Sequence, residues 1–374
     1  MARTREEYVG LAEKAILELL DQEHAAVRPE IEWKISDRQW GDAPCTLDPH
    51  HVTTALQRLA HRGWIERVTA RTRGGRSITV YQPADTAGRT RKVGLASARK
   101  RLLHTRYLGW ATGTGAATSG KGIVGAAGES VVHASLQASN GITLVPRSGG
   151  EVRSFLGSSV PGGSLDNAGF LLTLDQTTGM PSVPYALPVE VKNVRQWVYP
   201  QNRLLYQLLY KAAMLQQMHP RSDFVPILVC RKAHYLTNVM AKSLGFYVIS
   251  TLRQYIRPLI VSNETDRRAF EEVRDELGYH LVPHDTAVPE MVSHFTDKVP
   301  RLAKRTADNW RFAGAQFSEL YGELREKISH KRRSGLFDEL AFHAGTAIGE
   351  SVDWHRDDTV DFIDLDEQPS NGED

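Results

Sequence analysis

Cysteine is almost absent from this 374-residue chain: Cys45 and Cys230 are the two it has, far apart and without metal-ligand spacing. That argues against a disulfide framework and against a cysteine-based zinc finger, and both thiols are expected to be buried. Long apolar runs are missing too. No stretch reaches membrane-spanning length, and the opening Met1-Ala2-Arg3-Thr4-Arg5-Glu6-Glu7 has no apolar run behind it that would serve as a signal peptide. The expectation is a soluble cytoplasmic protein without a membrane partner. Nor does one sign of charge dominate: 46 Lys and Arg stand against 44 Asp and Glu, a formal net charge of +2. The 41% hydrophobic and 24% charged residues are ordinary for a globular protein, and the length suits two folded units plus a variable end.

The charge is unevenly spread. Between Thr86 and Arg106 there are seven basic residues (Arg89, Arg91, Lys92, Arg99, Lys100, Arg101, Arg106) and no acid, whereas Glu350 to Asp374 holds ten acids against Arg356. The first segment reads as a linker turning into a basic helix that attracts phosphate; the second reads as a disordered acidic tail. Gly113 to Gly125 is rich in small residues but lacks a Gly-Lys-Ser/Thr ending and a preceding strand, so it reads as a flexible joint.

Ahead of these, Tyr8, Leu11, Ala15, Ile16, Leu19 and Leu20 recur at helical spacing. Asp48-Pro49 marks a second helix start, with Val52, Leu56 and Leu59 on one side. Trp64 to Thr72 and Arg76 to Tyr81 then read as strands about a Gly74-Gly75 turn. Helices followed by a basic-tipped hairpin resemble the winged helix-turn-helix family over roughly residues 5 to 84. The resemblance implies that the helix from Pro49 enters the major groove of duplex DNA with His50, His51, Thr53, Thr54, Gln57 and Arg58. It also implies that Arg71, Arg73 and Arg76 meet phosphate or the minor groove.

The chemistry-bearing pattern is central. Val124 to Leu136 reads as a helix carrying Glu129, followed by a strand at Ile142 to Val145. Leu165 to Leu174 and Tyr185 to Val191 read as a hairpin. About a turn centred near Thr178, residues 166 and 190 are equidistant, so antiparallel pairing brings Asp166 beside Glu190. Lys192 shares the Glu190 face; Val189 and Val191 take the other. Two acids and a lysine suit phosphodiester hydrolysis, which needs a hard cation held by oxygens and a positive group at the developing charge. Asp166, Glu190 and the Val191 carbonyl are expected to supply oxygens for Mg²⁺ or Mn²⁺, with Glu129 as a further ligand or as the anchor of a metal-bound water.

Helix with Glu129, strand, hairpin with Asp166 and Glu190-Val191-Lys192, helix and strand: this order is similar to the PD-(D/E)xK nuclease superfamily over roughly residues 122 to 250, although Leu165 replaces the proline before Asp166. The resemblance implies an α/β restriction-endonuclease-like core, a mixed sheet flanked by helices. It implies a metal-dependent DNA endonuclease with catalytic residues Asp166, Glu190, Lys192 and Glu129. Gln207, on the helix from about Gln201 to Met218, ranks first as a polar addition near metal or DNA.

The expected organisation is a winged helix at 1–84, a basic helix and linker at 85–121, the nuclease-like domain at 122–260, a mainly helical region at 261–348 and the tail at 349–374. Helices at Thr265 to Leu277 and Asp308 to Lys331 are expected to cover the nuclease sheet or to pair two copies in a homodimer. DNA, and hence association with the nucleoid, follows from the same reading. Restriction or defence fits it, as does repair or junction resolution. A DNA-binding regulator with a catalytically silent nuclease fold is the competing reading.

Overall fold

The computed structural model describes residues 4–37, 47–72, 75–113, 122–174, 179–350, 352 and 354. They form a mixed α/β protein with several sheets, and no helix among them is long and apolar enough to cross a membrane. Two compact units emerge. Residues up to Ile123 group with Pro258–Leu281, and Val124–Arg257 groups with the described residues from Val282 to Trp354.

The first unit begins with α1 (Arg5–Glu23), launched by a capping box in which Thr4 and Glu7 satisfy each other's backbone amides. After β1 (Ala26–Val27) and α2 (Arg28–Glu32) comes α3 (Pro49–His61), whose start has Pro at its first turn. The apolar stripes of α1 (Val9, Ala12, Ile16, Leu19) and α3 (Val52, Leu56, Leu59) share one core, because residues three and four apart fall on one helix face. β2 (Ile65–Arg71) and β3 (Ser77–Pro83) pair antiparallel from Ile65↔Pro83 to Arg71↔Ser77, and β1 adds to β3.

α4 (Thr90–Thr112) runs 23 residues, so the basic helix expected after residue 85 forms, and it packs on β1 and β3 as a structural part of the first unit. Of the small-residue joint, residues 114–121 lie outside the described ones.

The second unit is built on a six-stranded sheet. Its elements in order are α5 (Ile123–Gln137), β4 (Ile142–Leu144), a small hairpin of β5 (Ser154–Phe155) and β6 (Ser158–Ser159), β7 (Asn167–Leu171), β8 (Tyr185–Lys192), α6 (Arg203–Met218), β9 (Asp223–Phe224), β10 (Ile227–Cys230), α7 (Tyr235–Leu244), β11 (Tyr247–Ser250) and β12 (Gln254–Ile256). The order β11-β10-β8-β7-β4 is parallel on one side of β8 and antiparallel on the other, with β9 also against β8. β8 is therefore central, and its inner residues are buried on both faces, as helix-covered strands must be. Leu187, Val189 and Val191 pack with Ala127, Val131 and Val132 of α5. Ala186 and Leu228 face Leu205, Leu208, Leu209 and Ala212 of α6. Each such valine or leucine contributes about 1.5–3 kcal/mol by leaving water.

The C-terminal third departs from the expected single helical region. α8 (Glu264–Glu276) belongs with the first unit, where it buries Phe270 and Val273 and sets Glu272 and Glu276 against Arg99 and Arg106 of α4. The rest, β13 (Leu281–Pro283), α9 (Pro289–Ser293), α10 (Val299–Phe312), α11 (Ser318–Leu324) and α12 (His330–Ile348), continues along the chain, and from Val282 it groups with the sheet. The helix expected from Asp308 to Lys331 is thus broken. A 3-10 turn, Gly314–Phe317, separates α10 from α11, and Gly314 allows it to press against α7, since a Cβ there would overlap the Leu244 carbonyl and the Trp310 ring. Of the acidic tail, Gly349, Glu350, Val352 and Trp354 are described, and Trp354 is buried beside Phe337.

Candidate active site

The β7–β8 ladder carries the register Asn167↔Val189, Ala168↔Pro188, Gly169↔Leu187. Continued one residue, it sets Asp166 level with Glu190, as equidistance about residue 178 requires; residues 175–178 themselves lie outside the described ones. Asp166 stands immediately before β7, half-buried, and its Oδ2 accepts the Val191 N–H at 2.6 Å. Alternation along β8 puts Glu190 and Lys192 on the α6 side and leaves Val189 and Val191 on the α5 side.

Glu190 is only 2% exposed, where an unpaired carboxylate would cost several kcal/mol. Two ammonium groups answer it. Lys192 Nζ donates to Oε2 at 2.9 Å, and Lys211 Nζ donates to Oε1 at 2.5 Å and also to the Ser164 carbonyl. Lys211 was missed as a site residue in the sequence. It sits one helical turn beyond Gln207, which is half-buried. The signal was present: Lys211 interrupts the apolar stripe Leu208, Ala212, Leu215, and a lysine on a buried stripe requires an acid opposite.

α5 contributes a second side. Glu129 and His133, one turn apart, share a half-buried face, and His133 Nδ1 meets Asn167 Oδ1 at 2.8 Å. The end of β8 is pinned to α5 by Asn193. Its Nδ2 donates to the carbonyls of Val124 and Tyr255 at 2.6 and 2.8 Å, and its Oδ1 accepts the Tyr255 N–H at 3.0 Å. Gly128 makes room, since a Cβ there would strike the Asn193 side chain. Glu129 and Lys192 are thereby tied to one rigid junction.

Charge at this junction is out of balance. Burial, then the neighbouring Glu190, push the Asp166 carboxyl up to about 8, against the pull of Lys192. Burial also raises Glu129, with Glu151 and Glu190 adding repulsion and Lys192 and Arg147 opposing it. For Glu190, burial resists ionisation, but Lys192 and Lys211 outweigh it and hold the carboxyl below its usual range. Lys192 in turn is held charged: desolvation is overcome by Glu190 and Asp166.

The donor set of Asp166, Glu190, Glu129 and the Val191 carbonyl consists of hard oxygens, and two of its carboxyls resist ionisation, through burial first and repulsion by neighbouring acids second. Both features fit a hard divalent cation. Among the described residues, the group of three or more His, Cys, Asp and Glu side chains with all ligand atoms within 4.8 Å of one another lies elsewhere: Asp48, His50 and His51. Cation capture by the carboxylates thus requires their side chains to converge further.

The residues expected to face DNA are divided by the first unit. Gln57 is exposed, and Thr54 is half-buried with its hydroxyl bonded to the His50 carbonyl. Arg58 is clamped by both oxygens of Glu6 at 2.7 and 2.8 Å. His51 and Thr53 turn inward instead of outward: His51 stacks on Tyr8, and Thr53 bonds the Pro49 carbonyl and receives Arg28. Arg71 is exposed, Arg76 reaches back to Thr112, and Arg73 lies outside the described residues. In the basic run, Arg89, Arg99, Lys100 and Arg106 are already engaged in ion pairs. Arg231 and His234 hold backbone, through the Arg195 carbonyl and the start of α7 respectively.

Comparison with protein-family models, with curated proteins and with solved structures found no match.

Proposed function

We propose that the second unit is a divalent-cation-dependent nuclease of the PD-(D/E)xK kind with a restriction-endonuclease-like core, and that the first unit is a winged helix that holds duplex DNA. The observation that carries this reading is the Asp166–Glu190 pair at the end of a central hairpin, with acid in excess over its lysines. Asp166, Glu190 and the Val191 carbonyl would hold Mg²⁺ or Mn²⁺, with Glu129 assisting. Once bound, the cation supplies Lewis acidity and lowers the pKa of water.

The chain's own residues divide the remaining work. Asp166 gives up its proton to become a ligand, and the Val191 N–H fixes the carboxylate. Lys192, donating one bond to Glu190, is placed to steady developing charge on a phosphate oxygen. Lys211, bonded to Glu190 and to the Ser164 carbonyl, orients Glu190 from behind. On the first unit, Gln57 and Thr54 of α3 and Arg71 at the hairpin are the residues offered to DNA.

One observation favours a second reading, a DNA-binding protein whose nuclease fold is silent: both Glu190 oxygens already accept lysine protons. A single experiment separates the two. Plasmid, linear duplex and branched DNA are incubated with wild type and with Asp166→Ala, with Mg²⁺ or Mn²⁺ and with chelator. The nuclease reading expects metal-dependent cleavage by wild type and a loss of at least about 10³-fold in the variant, roughly 4 kcal/mol of transition-state stabilisation. Equal cleavage by both proteins refutes the site; DNA binding without cleavage by either establishes the silent reading.

A further inference from the structure

The geometry points to a separate metal site in the first unit, for a Zn²⁺-class ion, built from Asp48, His50 and His51. It is independent of the nuclease reading. Ligand atoms from these three side chains already lie within 4.8 Å of one another. Three donors around Zn²⁺ at about 2.0–2.2 Å sit roughly 3.4 Å apart, so small rotamer adjustments suffice. Two imidazole nitrogens and one carboxylate suit a borderline ion such as Zn²⁺ and do not suit Mg²⁺, which prefers oxygen. A fourth position is left for water or another ligand.

Local structure supports the assignment. Asp48 stands at the N-cap of α3, which sets its carboxylate beside the histidines of the first helical turn. The rings of His50 and His51 lie 3.7 Å apart between centroids and are tilted 45° to one another, and His51 is buried against Tyr8 of α1. Helix amphipathicity explains one inward histidine and not two adjacent ones converging on an aspartate.

The positive end of α3 opposes a cation by about 0.3–1 kcal/mol. That is small beside the apparent 10–16 kcal/mol of complete structural zinc sites, and the Asp48 charge offsets it. Bound there, the ion would tie the start of α3 to α1 through the His51–Tyr8 stack. His50 and His51 then serve the ion and do not read bases.

The test uses untagged, metal-stripped full-length protein titrated with Zn²⁺ by calorimetry in excess Mg²⁺, which competes at all-oxygen donor sets. Co²⁺ serves as the absorbing probe. Wild type is expected to take up one equivalent with a tetrahedral Co²⁺ spectrum. Asp48→Asn and His50→Gln, both at half-buried positions, are expected to bind at least 10-fold more weakly while keeping the wild-type circular dichroism. No uptake by wild type overturns the site, as does unchanged affinity in either variant.

Discussion

In the first unit Glu30 lies between Lys34 and Lys100; in the second Glu190 lies between Lys192 and Lys211. The first cluster closes on itself. Lys34 Nζ reaches Glu30, Glu23 and the Glu276 carbonyl at 2.7, 2.8 and 3.1 Å, and Lys100 Nζ reaches the same three residues at 2.5, 2.9 and 2.9 Å. Each ammonium has three protons, and all are used, two positive groups against two acids. The second cluster stays open. Around Glu190 and its lysines stand Asp166 and Glu129, both pushed upward, and Glu151 adds repulsion that Arg147 only partly relieves. A buried ion pair by itself is weak grounds for a functional site, since structural pairs are common. Burial pushes Glu30 upward as well, so a raised carboxyl is common to both clusters, and what separates them is the excess of acids over lysines beside Glu190.

The largest expected effect tests the closed cluster. Glu30→Gln leaves Lys34 and Lys100 sharing Glu23 alone in a buried place, which should cost about 3–5 kcal/mol. Glu190→Gln should cost less than half of that, because Asp166, freed from the repulsion of Glu190, ionises and takes over as counter-charge. Hydrogen exchange resolved by region, with urea unfolding, compares the two without assuming that both units unfold together. Equal losses would erase the distinction between a complete and an incomplete cluster.

Much of this distinction was out of reach of the sequence. Period-2 alternation and turn symmetry sufficed to bring Asp166 beside Glu190, because hairpin register follows from the turn and the apolar pattern. Helical spacing likewise located α5 and α6 to within a residue or two, and the Asp48-Pro49 signal marked the start of α3. Lys211 needed the knowledge that its apolar stripe faces Glu190, a long-range packing fact. The ion pairs of α4 were equally hidden, since a basic run reads as phosphate-seeking until α8, more than 150 residues later, is seen to supply Glu272 and Glu276. The inward turn of His51 and Thr53 depended on how α3 is rotated against α1.

Asp166→Asn sharpens the open cluster through pH. In the unfolded chain this carboxyl ionises near its ordinary 3.8; in the fold it holds its proton up to about 8. Between those values the unfolded state has released a proton that the folded state keeps, so wild-type stability falls as pH rises through the window. The Asn variant lacks that slope. It should be more stable than wild type by roughly 1–3 kcal/mol at pH 8, less than the full shift implies because Asp166 is half-buried, and indistinguishable near pH 4. Parallel stability curves for the two proteins would mean that the fold does not hold the Asp166 proton above its ordinary range. Added Mg²⁺ at pH 7 should release protons from wild type and not from the variant.

Glu129→Gln should have the smallest effect, and its sign is informative. Glu129 is half-buried on α5 and is one of the charges that keep Asp166 protonated, ranking below burial, Glu190 and Lys192. Removing it should move the Asp166 midpoint modestly downward, which on its own makes that ligand easier to ionise and favours Mg²⁺. If Glu129 also supplies an oxygen, or anchors a metal-bound water, its loss acts the other way, by about 10-fold in affinity. Calorimetric Mg²⁺ titrations at pH 7 and at pH 9 separate the two contributions, because the proton effect vanishes once Asp166 is fully ionised while the ligand effect persists. A 10-fold weakening retained at pH 9 places Glu129 among the cation's ligands; equal affinity there reduces it to a charge that tunes Asp166.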